Sequence, residues 1–483
     1  MSTFWHRLKD KALKFLGDKG SLSDAELLST EFVALVPDIH EVKGERHLLV
    51  WAEAPFWCVS DNELWELISA YSRPTTLRKL LKKHPHWFEK QKDILASLRI
   101  LCAHRIMQWH GMEENASRTE LPPIENISVN VTRVCNLQCS FCYNANNLEP
   151  SEELTAAELT SFLKETSAFL SKEPSLVILG GEPFLAPKKL FALARTGKEL
   201  GCTTLVSTNG QVITKELAEE AHSIGLEVQV SLDGPNAKFH DSVRGKGTFD
   251  KAIEGVRTLV AAGVRTIISM VCHRGNLSSL GDYFALASQL EVAEARFIPL
   301  RQIGGGKGGE QAALPLDELL EAAFKLFDEN PDFLELAGRD AFSIMANTCK
   351  AALWRPSCGT GLQTFLLDAD GKIYPCINLA HSEFALGSIT DENFDFAKMW
   401  RNQGKLSEFR QQTSLENKDR KCGLCPLRHW CLGGCRGEVW SLTGKLSAPS
   451  PDCARLKKAV TEMFWRLTDR PDLTPKGMGW SDW

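Results

Sequence analysis

Residues 127–142 read ISVNVTRVCNLQCSFC. The run ISVNVT, 127–132, is rich in β-branched residues and predicts a strand. Cys135, Cys139 and Cys142 come after it, three thiols within eight residues of one loop. Three thiolates so placed can grip one metal centre. A structural zinc site closes with four ligands, so zinc would need a fourth from elsewhere in the chain. Iron offers the other reading. Three cysteines leave one corner of an iron–sulfur cube without a protein ligand, and an open iron can bind and reduce a substrate or cosubstrate.

Downstream of this strand the sequence alternates. Short apolar runs at 176–180, 203–207, 227–232, 266–271 and 295–300 predict further strands. Helical patterns over 154–170, 186–200, 214–224, 249–262 and 276–290 separate most of them. Six strands with crossover helices argue for an α/β fold, a parallel sheet curved as an incomplete (β/α)6 barrel. Chemistry in such folds sits at the C-terminal ends of strands. IGGGKGGE, 303–310, lacks the residues of a phosphate loop and is expected to be a flexible connector. Helices are expected at 316–328 and about 340–353.

A second cysteine set lies further on. Cys358 precedes Gly371 and Cys376; then come Cys422-x2-Cys425-x5-Cys431-x3-Cys435 and finally Cys453. The intervening LLDADGKIYPC predicts a hairpin that turns at Asp370-Gly371. A zinc ribbon is the plain alternative for CxxC pairs. Cys58, Cys102, Cys202 and Cys272 lie in apolar segments and are expected to be packing residues.

Upstream, residues 4–16 carry one apolar helical stripe, and residues 45–60 look like two strands around Ala54-Pro55. Helical patterns at NELWELISAY, LRKLLKKH and 88–109 come next, the outline of a winged helix. A polar linker, 113–123, separates this part from the first cysteine strand.

The three-cysteine loop and the segments downstream of it resemble the radical S-adenosylmethionine (SAM) superfamily over most of 125–300. The Cys-x3-Cys-x-aromatic-Cys pattern, with Phe141 as the aromatic residue, is matched by Gly180-Gly181-Glu182-Pro183 after the second strand. Ser207 and Asn209 lie after the third strand, Ser231 and Asp233 after the fourth. Arg244 and Ile298 complete the set. The resemblance implies that Cys135, Cys139 and Cys142 hold a SAM-binding [4Fe–4S] cluster. It also implies that Glu182 meets the SAM amino group, as a carboxylate meets an ammonium. Arg244 would pair with the SAM carboxylate, Ile298 would pack on adenine, and the other residues would line the ligand.

The later cysteines are similar to the SPASM pattern, which implies two auxiliary [4Fe–4S] clusters. By that resemblance Cys422, Cys425, Cys431 and Cys453 hold one. Cys358, Cys376 and Cys435 hold the other, with Cys349 as its expected fourth ligand. Residues 40–110 resemble, loosely, the PqqD-like peptide-recognition domain of peptide maturases. A DNA-binding winged helix is the rival for this part.

The organisation implied is a winged-helix peptide-recognition domain (1–112), a partial barrel (123–310), linker helices (311–345), a SPASM domain (346–460) and a tail (461–483). The implied activity is oxidative modification of a ribosomally made peptide or small protein subunit, forming a thioether or carbon–carbon cross-link. Thioether formation in the small subunit of quinohemoprotein amine dehydrogenase is one example of such a role. A reductant such as flavodoxin or ferredoxin is implied. An anaerobic sulfatase-maturing dehydrogenase is the alternative, disfavoured because Ile377 rather than Asp follows Cys376; an electron-carrying iron–sulfur protein is another.

Composition bounds these readings. The 483 residues carry 56 Lys and Arg against 61 Asp and Glu, a net charge of −5, which disfavours a nucleic-acid-coating role. No uncharged apolar run approaches the ~20 residues of a membrane span. The first residues carry no secretory pattern. With 15 cysteines and no export signal, a cytoplasmic protein with clustered metal ligands is expected.

Overall fold

A computed structural model describes residues 22–110, 112, 121–148, 152–307, 313–338, 340–351, 354–401 and 404–473. The helix expected over 4–16 and most of the 113–123 linker lie outside them. No helix of the described residues is long and apolar enough to cross a membrane.

Fourteen strands are present among the described residues. The first five form a separate N-terminal module: β1 (Phe32–Ala34), β2 (Ile39–Lys43), β3 (Arg46–Trp51), β4 (Phe56–Ser60) and β5 (Met107–Trp109). β2, β3 and β4 make an antiparallel meander, while β1 pairs with β5. The sequence pattern predicts only β3 and β4 of that meander. β2 escapes it because IHEVK is mostly polar and only partly buried. Helices Asn62–Ala70, Leu77–Lys83 and Gln91–Ala103 complete the module, and the side chains of Asp61 and Thr76 cap the first two by accepting from Leu64 N and Lys79 N.

The six expected barrel strands all form: β6 (Ile124–Asn130), β7 (Leu170–Leu179), β8 (Thr203–Thr208), β9 (Glu227–Ser231), β10 (Thr266–Cys272) and β11 (Glu294–Pro299). They pair in parallel, each with its neighbour in sequence. Among the described residues no pairing joins β11 back to β6, so the unit stays open. β10 is buried at nearly every position, as a strand covered on both faces should be. The crossover helices start and stop on readable signals. Thr155 and Glu158 form a capping box, Thr214 caps Lys215–Ile224, and Gly225 ends that helix at φ +75°. A helix at Ala237–Arg244, eight residues long and mostly polar, is not among the expected ones.

The cysteine-rich region does not form a detached sheet. β12 (Thr364–Leu367) runs parallel to β6 along the open edge of the barrel, with Phe365 opposite Ile127 and Leu367 opposite Val129. β13 (Lys372–Tyr374) and β14 (Gly387–Ser388) extend it antiparallel, so nine strands make one sheet. The expected turn at Asp370-Gly371 is present, with Gly371 at φ +89°. Behind the sheet, Leu316–Glu329 and Ala341–Ala351 pack against the helix Cys453–Asp469. That last helix continues past 460 with Met463, Phe464, Trp465 and Leu467 buried, so residues after 460 begin as core. Trp57 of β4 stacks on Phe464 at 4.4 Å and donates to the Cys349 carbonyl at 2.7 Å, fixing the N-terminal module to this helix layer.

Candidate active site

The cysteine loop leaves the C-terminal end of β6 and is held by its neighbours. Ser140 N donates to Val243 O at 2.9 Å, and Arg244 Nη1 lies 3.8 Å from Cys139 Sγ. The thiols of Cys135, Cys139 and Cys142 act on one another electrostatically, and burial raises the pKa of all three. Arg244 works against that rise by favouring thiolates. Three partly buried thiols beside a guanidinium are a donor set suited to an iron–sulfur cluster, whose net charge with three thiolates is negative.

The end of β7 is sewn to this loop. Gly181 N donates to Thr132 O at 2.7 Å, and Glu182 N donates to Val134 O at 2.8 Å. A Cβ on Gly181 would sit 2.3 Å from Val134 O, so only glycine permits the approach. Glu182 is 1% exposed. Its carboxylate accepts from Thr208 Oγ1 (2.7 Å), Asn209 N (2.8 Å) and Phe184 N (3.1 Å). Burial raises its pKa, and these bonds oppose the rise. Pro183 comes next, buried at the start of a short turn. Asn209 reaches back to the cysteine loop, Nδ2 to Asn136 Oδ1 at 2.8 Å. Three successive strand ends therefore converge.

Asp233, fully buried after β9, pairs with Arg244 and accepts from Val271 N at 2.9 Å. Arg244 thus holds a protein carboxylate and a thiol at once. Ser207 accepts from Gln229 Nε2 at 3.3 Å, and Gln229 in turn accepts from Arg296 Nη1 at 2.9 Å. Ser231 ends β9 half-buried. Phe141 lies 6.3 Å from the His273 ring, centroid to centroid. Ile298 on β11 is 40% exposed, and Val134 and Leu185, also at strand ends, are exposed apolar residues.

Several residues here carry no sequence signal. Asn136, Gln229 and Arg296 act through partners distant in the chain. His240 accepts from Asp233 N at 3.2 Å and is pushed down to about 4 by burial. The glycine segment is not a free connector where it begins. Gly304–Gly306 is a turn packed on the cysteine loop, and Gly305 N donates to Cys142 O at 2.8 Å. A Cβ on Gly304 would meet Tyr143 O at 2.4 Å. These glycines serve close approach, which composition alone could not reveal.

In the C-terminal region Cys422, Cys425, Cys431 and Cys453 line one cavity of about 20 Å³. Four thiols facing one small cavity are a donor set suited to a metal centre. Cys358, Cys376 and Cys435 form a second group by mutual charge, and Asn378 Nδ2 lies 3.4 Å from Cys435 Sγ. Cys349, expected with them, is 0% exposed within its helix, and its charge neighbour is Arg355. Glu438, one turn after Cys435, accepts from Arg301 Nη1 (2.9 Å) and Gln302 N (3.0 Å), tying this region to the end of β11.

Comparison with known proteins agrees with this geometry. The radical SAM superfamily model matches residues 129–282, and a model described as an iron–sulfur cluster-binding domain (SPASM) matches 358–426. Mycofactocin maturase MftC of Mycobacterium tuberculosis (strain ATCC 25618 / H37Rv) is 30% identical over 332 residues, 67% of this chain and 81% of that protein. The AdoMet-dependent heme synthase of Methanosarcina barkeri (strain Fusaro / DSM 804) is 26% identical over 344 residues, 68% of this chain and 95% of that one. Two solved structures share the fold. AdoMet-bound anSMEcpe superposes with a TM-score of 0.59 at 21% identity, covering 72% of this chain and 99% of its own. Streptococcus suis SuiB bound to its precursor peptide SuiA gives 0.56 at 14% identity, covering 87% and 99%.

Proposed function

The chain belongs to the radical SAM superfamily and carries a SPASM iron–sulfur domain, and from that premise we propose that it is a maturase acting on a ribosomally made peptide or small protein subunit. It is an enzyme whose cofactors are SAM and multiple [4Fe–4S] clusters. When bound, they supply a 5′-deoxyadenosyl radical able to take hydrogen from an unactivated carbon.

The protein's share is binding and orientation. In this reading Cys135, Cys139 and Cys142 ligate the SAM-binding cluster. Glu182 holds the SAM ammonium, its carboxylate oriented by three hydrogen bonds. Arg244 shares its guanidinium between Asp233 and the SAM carboxylate. Ile298 offers an exposed apolar surface to adenine, while Phe141, Gly180, Gly181, Pro183, Ser207, Asn209 and Ser231 shape the rest. Cys422, Cys425, Cys431 and Cys453 hold one auxiliary cluster, and Cys358, Cys376 and Cys435 another. Cys349, buried in its helix beside Arg355, is not assigned to that set. An iron free of a fourth protein ligand would accept a substrate thiolate, as thioether formation needs. A flavodoxin or ferredoxin would supply the electron.

The N-terminal module supports a peptide substrate. It holds a cavity of about 140 Å³ between β4 and two helices. Leu64, Leu67, Trp87 and Ile94 give it apolar walls, and Asp61, Glu63, Glu66 and Asp93 an acidic rim. An extended leader could add to β2, the half-exposed edge of the meander, or set apolar side chains in the cavity. The acidic rim counts against phosphate, and so against DNA. Ile377 after Cys376 keeps the sulfatase-maturing reading second.

The observation that carries the proposal is the convergence of the cysteine loop, Glu182 and Asn209 at consecutive strand ends. Anaerobic, reduced, cluster-loaded protein given SAM and a candidate peptide should release 5′-deoxyadenosine and leave the peptide two hydrogens lighter. Absence of 5′-deoxyadenosine with every peptide would sink it. Deleting residues 1–112 should abolish peptide binding and leave slow SAM cleavage; unchanged peptide affinity would refute the role given to the module.

A further inference from the structure

Outside every cysteine cluster, Glu66, His84 and His86 bring one ligand atom each to within 4.8 Å of one another. Glu66 projects from Asn62–Ala70, and His84 ends the next helix as its C-cap. Pro85 opens the following turn and His86 comes after it. The proline fixes its own φ near −65°, which sets the offset between the two imidazoles. Trp87 is buried and stacks on His84 at 4.5 Å, with rings 15° from parallel. That stacking orients one imidazole, as an outer partner does for a metal-bound histidine.

The spacing is specific. His84 Nδ1 and Glu66 Oε1 are 3.4 Å apart. Two ligand atoms, each about 2.0–2.1 Å from a tetrahedral zinc, lie roughly 3.3–3.4 Å from each other. An ion could seat between that pair, with a ligand atom of the exposed His86 within 4.8 Å of both. Two imidazoles and a carboxylate suit zinc and its neighbours, not magnesium or calcium. Glu66 and His86 also line the 140 Å³ cavity. We propose that Glu66, His84 and His86 bind one divalent transition-metal ion, zinc foremost, at the rim of that cavity, with a fourth position left open. The ion would tie helix Asn62–Ala70 to the turn Pro85–Trp87, two walls of the cavity.

Zinc titration of the cluster-loaded full chain, free of any histidine tag, tests this by equilibrium dialysis with zinc and iron both counted. The wild-type chain should take up one zinc with its iron unchanged, and excess magnesium should not displace it. His86→Ala and Glu66→Gln, both at exposed positions that leave Trp87 in place, should weaken zinc binding by at least about tenfold with iron unaltered. Equal affinity in wild type and both variants would overturn the proposal. So would the absence of zinc uptake, displacement by magnesium, or zinc gained only as iron is lost.

Discussion

Replacing Gly304 by alanine tests whether the turn after β11 sets the shape of the cysteine loop. Gly304 has φ +52°, and an alanine Cβ there would lie 2.4 Å from Tyr143 O and 2.6 Å from Cys142 O. Both obstacles are backbone, so no rotamer relieves them; the loop must retreat by at least about half an ångström. The left-handed backbone costs an alanine about 1–2 kcal/mol, and the overpacking about 1–3 kcal/mol more. The retreat also stretches the bond from Gly305 N to the carbonyl of Cys142, one of the three proposed cluster ligands. Gly44→Ala is the control: φ is +62° and nothing lies within 4 Å of its Cβ, so it carries the backbone cost without the collision. Each variant is reconstituted anaerobically, its iron counted, and its reduced EPR spectrum recorded with and without SAM. Gly304→Ala should lose one cluster's worth of iron and the SAM-dependent spectral change, while Gly44→Ala keeps both. Full iron and an unaltered SAM response in Gly304→Ala would refute the reasoning.

Asp340 is 0% exposed, and burial pushes its pKa up to about 8. Between about pH 4 and pH 8 the folded chain keeps a proton that the unfolded chain has released, so stability falls as pH rises through that window. Asp340→Asn should flatten the fall of Tm with pH, and an equal slope in the variant would contradict the assignment. Trp57→Phe keeps an aromatic ring on Phe464 but leaves the buried Cys349 carbonyl without its donor; a loss of about 1–3 kcal/mol should lower the thermal transition with iron content unchanged. An unshifted transition would mean that water replaces the indole. Glu182→Gln turns an amide NH2 toward Asn209 N, donor against donor, and removes the charge offered to the SAM ammonium. Calorimetry with SAM should register affinity at least about tenfold weaker, and unchanged affinity would remove Glu182 from the site.

The parts of this architecture that obey local rules are legible in the sequence. β-branched runs mark β6 to β11, Thr214 and Gly225 bound a helix, and the cysteine spacings mark three groups of thiols that the fold brings together. The features that stay hidden depend on pairing between distant segments. β12 carries no sign in TFLL that it will lie beside β6, since any short apolar strand could. Gly304 and Gly305 matter because the backbone of Ser140, Cys142 and Tyr143 passes close by, a fact of tertiary structure. His240 and Arg296 look like ordinary surface residues until burial gives them partners. Cys349 shows how far spacing reaches: it suggests a ligand, and the fold places that thiol buried in its helix beside Arg355.

The run of hydrogen bonds between Phe365–Leu367 and Ile127–Val129 has a consequence for anyone wishing to take this protein apart. A fragment ending near residue 310 would expose the flank of β6 as a raw, sticky border, the kind that recruits stray chains into aggregates. The strand that leads into the first three-cysteine loop borrows its outer neighbour from the region that carries the later cysteine cluster. The border of β6 is therefore covered only in a chain that reaches past residue 367.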